Sequence, residues 1–159
     1  MEIRENRVVI LGAGIGAMAM GFENASCKVV AAYEHDERAR DLYENNAKDK
    51  TYKIGELDYN NFEEIPDMDI LACDFRRGFS FTSAGMGKTY HFRNAVKAVV
   101  EFKQPKKVFF LVPCGYARLK PFKALLDYLK AEGYNYSYKI ILSYYFYHTL
   151  YYIRYRWKQ

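Results

Sequence analysis

The ten residues from Val8 to Ala17 limit the fold more than any other stretch of the chain. Val8-Val9-Ile10-Leu11 is a β-branched and aliphatic run without polar alternation, as expected of a strand buried on both faces. Gly12-Ala13-Gly14-Ile15-Gly16 stops it, and a helical pattern starts at Ala17. Three glycines in five positions allow a sharp turn and leave no Cβ between the backbone and an approaching ligand. A helix opening there directs unpaired N–H groups and the positive end of its dipole outward. The unit suits an adenosine-type ligand, with Gly12, Gly14, Ile15 and Gly16 as cofactor-binding candidates. A plain tight turn satisfies the same pattern.

Strand–helix alternation continues downstream. Ala17 to Asn24 reads as a helix and Lys28 to Tyr33 as a second buried strand ending at Glu34. An acid there can accept hydrogen bonds from the ribose hydroxyls of an adenosine; an ordinary exposed Glu is the alternative. Asp36 caps a helix over Glu37 to Asn46, with Ala39, Leu42 and Tyr43 on one face. Asp69 to Cys73 is another central strand, ending at Asp74. The Gly/Ser-rich stretch Thr82 to Lys88 reads as a mobile surface loop before a helix over Phe92 to Phe102. Val108 to Val112 is a fully apolar strand, and Phe122 to Glu132 a helix with Gly133 at its C-terminal cap. Tyr136 to Tyr147 and Thr149 to Tyr155 read as a tyrosine-rich hairpin or two strands.

Apolar, non-alternating strands between helices predict an α/β fold over 1–159 as one domain. Its sheet is doubly wound, Rossmann-like and mostly parallel, with helices on both faces and antiparallel strands near the C-terminus. Ligands in such sheets sit at the carboxyl ends of the strands. Gly14, Glu34, Glu56 and Asp74 all fall at those ends.

Charge divides the chain. Residues 1–80 carry 10 Lys/Arg against 16 Asp/Glu, and residues 81–159 carry 14 against 3. The basic half fits an anionic partner such as DNA, or simply a solvated basic face. No apolar run is long enough for a membrane span, and the charged start Glu2, Arg4, Glu5, Arg7 does not resemble a signal peptide. Cys27, Cys73 and Cys114, odd in number and without paired spacing, read as reduced thiols of a cytoplasmic protein and not as a metal site.

The order of motifs resembles the DNA (cytosine-5) methyltransferases over nearly the whole chain. Gly14-Ile15-Gly16-Ala17 with Gly21-Phe22-Glu23 is similar to the family's first motif. Ala32-Tyr33-Glu34-His35-Asp36, with Ala39 and Tyr43 to Asn46, resembles the second. The resemblance implies that Glu34 holds the ribose of S-adenosylmethionine and His35 packs on its adenine. Gly55-Glu56-Leu57 resembles the third motif, with Glu56 for the usual Asp opposite the adenine amino group. Ile65 to Leu71, Phe79-Ser80 and Ala84-Gly85 also match. The implied fold is that of S-adenosylmethionine-dependent methyltransferases.

The reactive positions depart from the family. Its cysteine nucleophile sits in a Pro-Cys-Gln loop, and Phe75-Arg76-Arg77-Gly78 stands there, one residue shorter and without Cys. An arginine stays protonated and cannot substitute. The Glu-Asn-Val motif reads Leu111-Val112-Pro113-Cys114, the Arg-x-Arg motif reads His148 to Ile153, and the chain ends at Gln159 before a target-recognition domain. Cys114 is the one candidate for a relocated nucleophile; His91 and His148 read as structural or surface residues. The tyrosines Tyr144, Tyr145, Tyr147, Tyr151, Tyr152 and Tyr155, with Arg154, Arg156 and Trp157, suit either base stacking or sheet packing. Catalytic residues are left unassigned.

The expectation is a C5-cytosine methyltransferase-like protein, inactive alone, that works as a pseudoenzyme or as one subunit of a split DNA modification methylase. Its partners would be DNA, a second protein subunit or a further copy of itself. A methyltransferase for another acceptor, an NAD-binding protein and a pure DNA-binding module are the alternatives.

Overall fold

The structure, a computed structural model, describes residues 5–47, 54–55, 61–75, 83–142 and 147–155; at 54, 83–91, 114, 140–142 and 147–155 only the backbone enters the description. The chain builds β1 (Arg7–Leu11), α1 (Ala17–Asn24), β2 (Lys28–Tyr33), α2 (Glu37–Asn46), β3 (Ile54–Gly55) and β4 (Ile70–Asp74). Then come α3 (Ser83–Lys103), β5 (Lys107–Pro113), α4 (Cys114–Ala117), α5 (Lys120–Ala131), β6 (Tyr134–Leu142) and β7 (Tyr147–Tyr155).

One seven-stranded sheet runs in the order β3-β2-β1-β4-β5-β7-β6. The first five strands are parallel, so each needs a crossover, and the intervening helices supply most of them. The chain first winds outward from β1 to β3. It then returns to the other side of β1 for β4 and β5, which puts the switch point between β1 and β4. β7 is antiparallel to both β5 and β6. β6 therefore runs in the direction of β5, and the hairpin's second strand fills the slot between them.

Successive strand residues point to opposite faces, so β1 and β4 feed two cores. On one face Val9, Leu11, Leu71 and Cys73 pack with Val96 and Val99 of α3 and Phe122 and Leu125 of α5. On the other, Val8, Ile10, Ala32 and Ala72 pack with Ala19 and Phe22 of α1 and Tyr43 of α2. The doubly wound arrangement expected from the strands is present. At the amino edge of the sheet the buried Asp69 carboxylate accepts from Arg7 N at 3.0 Å and from Lys106 Nζ at 2.7 Å, tying β1, β4 and β5 together.

Several expectations need correcting. The stretch read as a loop up to Lys88 is helical from Ser83 onward, so α3 starts nine residues before Phe92. A long helix tolerates Gly85 and Gly87, at about 1 kcal/mol each, because propagation is cooperative and its later turns are anchored in the core. Leu42 is exposed although Ala39 and Tyr43 are buried; it lies just outside the α2 stripe. β5 is not buried on both faces: Val108, Phe110 and Val112 are buried, while Lys107, Phe109, Leu111 and Pro113 are half-buried. On that second face Phe22 meets Phe109 edge-on at 5.3 Å. The C-terminal hairpin starts at Tyr134, not Tyr136, immediately after Gly133 with its φ of +92°.

Candidate functional site

The three glycines all have positive φ: Gly12 at +72°, Gly14 at +59° and Gly16 at +98°. Gly12 N and Ala13 N both donate to Tyr33 O, at 2.9 and 3.0 Å, pinning the turn to the end of β2. A Cβ on Gly12 would stand 2.8 Å from Asp74 O, so β1 and β4 approach too closely for any side chain there. A Cβ on Gly16 would meet the Tyr43 ring at 3.3 Å. Gly16 occupies the N-cap of α1 and has no side chain to cap it. The first-turn amides of α1 therefore lack the side-chain acceptor that Ser or Asp would bring.

Glu34 is 2% exposed. Its Oε2 accepts from Gly14 N at 2.8 Å and its Oε1 from Asp36 N at 3.1 Å. His35 Nδ1 lies 3.0 Å from Oε1, and Arg40 Nη1 donates to the Glu34 carbonyl at 2.7 Å. Charge-assisted bonds of this kind offset the desolvation of a buried carboxylate. The same contacts fix the glycine turn, the end of β2 and the start of α2 relative to one another. Asp36 caps α2 as expected, its Oδ1 accepting from Ala39 N at 3.2 Å. Glu34 N donates to Gly55 O at 2.9 Å, which brings the end of β3 beside it.

Asp74 is buried at the end of β4. Beyond it Phe75 N donates to Leu111 O at 2.9 Å, extending the β4–β5 pairing by one residue. The Phe75 ring is buried. It meets Phe92 at 5.0 Å and Phe110 at 5.3 Å, both edge-on, and stacks on Tyr116 at 5.7 Å.

The structure thus brings Gly12, Gly14, Gly16, Glu34 and Asp74 together at the carboxyl edge of the sheet, around the switch point. Ile15 is exposed on the outer side of the turn, and His35 is beside Glu34. Glu56, Leu57, Arg76, Arg77, Gly78, Phe79, Ser80, Thr82, Tyr144, Tyr145, Arg156 and Trp157 lie outside the described residues, as do the side chains of His91, Cys114, Tyr147, His148, Tyr151, Tyr152, Arg154 and Tyr155.

Two residues at the site escape a sequence reading. Phe92 of α3 places its Cζ 3.5 Å from where a Gly12 Cβ would stand, so an aromatic ring closes the β4 side of the turn. Asn46 Nδ2 donates to Ile15 O at 3.1 Å, tying the end of α2 to the turn. Periodicity marks Phe92 as a core position and Asn46 as a helix end; only the path of the two helices brings them here.

The site offers buried negative charge at Glu34 and Asp74, hydrogen-bond donors at the start of α1 and an apolar wall. Among the described residues no group of three His, Cys, Asp or Glu could hold a metal ion. Cys73 is fully buried, and burial, with the Asp74 charge second, pushes its thiol pKa well above the ordinary value of 9.0. Cys27 precedes β2, at the opposite edge of the sheet from the turn.

Residues 7–146 match the family model of C-5 cytosine-specific DNA methylases. The chain is 32% identical over 151 residues to the type II methyltransferase M.HaeII of Haemophilus aegyptius, covering 87% of this chain and 45% of that protein. It is 33% identical over 140 residues to M.BsuFI of Bacillus subtilis, covering 82% of this chain and 33% of that protein. The chain thus spans less than half the length of these curated relatives. Among solved structures, the Dnmt2 methyltransferase of S. pombe superposes with a TM-score of 0.74 at 18% identity, over 98% of this chain and 50% of that one. A magnesium protoporphyrin IX methyltransferase of Synechocystis with bound SAM superposes with a TM-score of 0.65 at 10% identity, over 98% of this chain and 72% of that one. At such identities the likeness is one of fold.

Proposed function

The chain belongs to the C-5 cytosine-specific DNA methylase family, and from that premise we propose that it is the cofactor-holding part of a DNA-modifying assembly: it binds S-adenosylmethionine at the glycine turn and does not methylate cytosine alone. The observation that carries this reading is the buried Glu34 carboxylate, 2.8 Å from Gly14 N at the end of β2. It braces the turn from the end of β2, the position from which an acid meets the ribose of an adenosine-type ligand in sheets of this kind. The residues fit an adenosine-type ligand. The positive-φ glycines let the turn pack against Asp74 O and the Tyr43 ring, the start of α1 supplies donors, and His35 stands next to Glu34 for the base. Asp74 and Phe92 present negative charge and an aromatic wall on the β4 side. When bound, S-adenosylmethionine supplies a methyl group on a cationic sulfur.

Inactivity towards cytosine rests on the absent nucleophile. C5 methylation needs a thiolate, and Phe75-Arg76-Arg77-Gly78 holds none. Cys73 is sealed in the core with its thiol held protonated, and Cys27 is at the far edge. Cys114 opens α4 at the carboxyl end of β5, on the side of the site. The missing groups then come from a second subunit, with DNA drawn to the basic half.

Calorimetric titration with S-adenosylhomocysteine tests the pocket. The unmodified chain should bind saturably, and Glu34→Gln should weaken binding at least about tenfold, since a hydrogen bond to a charged acceptor is worth about 1.5–3 kcal/mol, with an unchanged circular dichroism spectrum. Equal affinities, or no binding by either protein, overturn the pocket. Appearance of 5-methylcytosine in DNA incubated with the chain and S-adenosylmethionine, abolished by Cys114→Ser, overturns the inactivity.

A further inference from the structure

Nine residues of β6, Tyr134 to Leu142, form the last strand of the sheet, and among the described residues only β7 pairs with it. Natural edge strands are blunted by prolines, bulges, charges or brevity. β6 has no proline, an unbroken register with β7 and one charged side chain, Lys139. Asn135, Tyr136, Ser137, Tyr138 and Lys139 are all exposed, so both faces of the strand meet water as well as its edge. Tyr136 is 46% and Tyr138 61% exposed. They are two residues apart, hence on one face.

We propose that β6 pairs antiparallel with β6 of a second copy about a two-fold axis through Ser137, joining the two sheets edge to edge. The occupant follows from the sequence of the edge. On either side of Ser137 the order is aromatic, polar, apolar or aromatic: Tyr136-Asn135-Tyr134 in one direction and Tyr138-Lys139-Ile140 in the other. A two-fold at Ser137 sets Tyr136 against Tyr138 of the other copy and Asn135 against Lys139. The single charge thus meets a neutral amide rather than its own like. Opposed tyrosines are favourable cross-strand pairs.

The contact is small. Each tyrosine side chain carries on the order of 150–250 Å², and half of that from four rings stays well below the roughly 1,200 Å² of a tight complex. The dimer is therefore weak and reversible.

Sedimentation velocity on the whole chain, from about 1 to about 500 µM, reads this directly. The expected result is a monomer–dimer equilibrium that Tyr136→Lys/Tyr138→Lys abolishes while the thermal melt is kept. Two further variants test the register. Asn135→Glu creates two Glu–Lys pairs per dimer and should tighten association several-fold. Asn135→Lys opposes like charges and should loosen it by a similar factor. A monomer throughout the range overturns the proposal, as does a dimer indifferent to the tyrosine pair or to the charge at residue 135. None of these readouts involves S-adenosylmethionine, so the proposal stands or falls apart from the pocket.

Discussion

At Gly12 a side chain has nowhere to go, because the Asp74 carbonyl stands 2.8 Å from where its Cβ would be and φ is +72°. Left-handed backbone costs a non-glycine residue roughly 1–2 kcal/mol before any displacement. Gly12→Ala should therefore destabilise the chain by at least about 2 kcal/mol in urea titration. Gly21, inside α1 with nothing within 4 Å of its Cβ position, should behave oppositely: Gly21→Ala gains about 0.5–1 kcal/mol. Equal effects of the two substitutions would refute the close approach of β1 and β4. Glu34 is the other residue on which the site depends, since one carboxylate braces both the glycine turn and the first turn of α2.

Helix α2 is the element that carries the turn from beneath. Its N-terminus is capped by Asp36, its Tyr43 ring fills the space below Gly16, and its Asn46 amide holds Ile15 O. Loss of the cap in Asp36→Ala should cost about 1 kcal/mol, while Asp36→Asn, which caps comparably, should be near neutral. Chemical denaturation of the two variants separates capping from charge; equal losses would argue for charge instead. Helix α3 acts from the other side. Its Phe92 reaches Gly12 and packs edge-on against Phe75, so the residue following β4 is locked to the same helix that walls the turn. That lock fixes the root of the segment where the family keeps its nucleophile.

Across the whole molecule the charge division coincides with the sheet. The acidic first half builds β3, β2, β1 and β4, the basic second half builds β5, β7 and β6, and the switch point lies next to their border. Buried acids in the core make stability depend on alkaline pH. Burial holds Cys73 well above 9.0 and Tyr116 above 10.0, Tyr116 being relieved in part by Arg93. The unfolded chain releases these protons at the ordinary values, and the folded chain only higher. The folded form therefore holds more protons in that window, and stability, complete below about pH 9, falls as the pH rises. Thermal melts between pH 8 and 10.5 should show this loss, and Cys73→Ala should remove the part that begins near pH 9; an unchanged profile would place the titration elsewhere. Much of this architecture is legible in the residues. The apolar run to Leu11, the glycines, the acid at Glu34 and the cap at Asp36 are local signals, because backbone sterics and hydrogen bonding act within a few positions. They settle the central strands, the turn and the family. What they leave open involves residues far apart in sequence. Helix from Ser83 to Lys88 goes against its glycines, and α3 is anchored by later turns in the core. Phe92 meets Gly12 across 80 positions, and β7 rather than β6 lies beside β5. Such pairings depend on which faces bury each other once the sheet has formed, and no window of neighbouring residues contains that information.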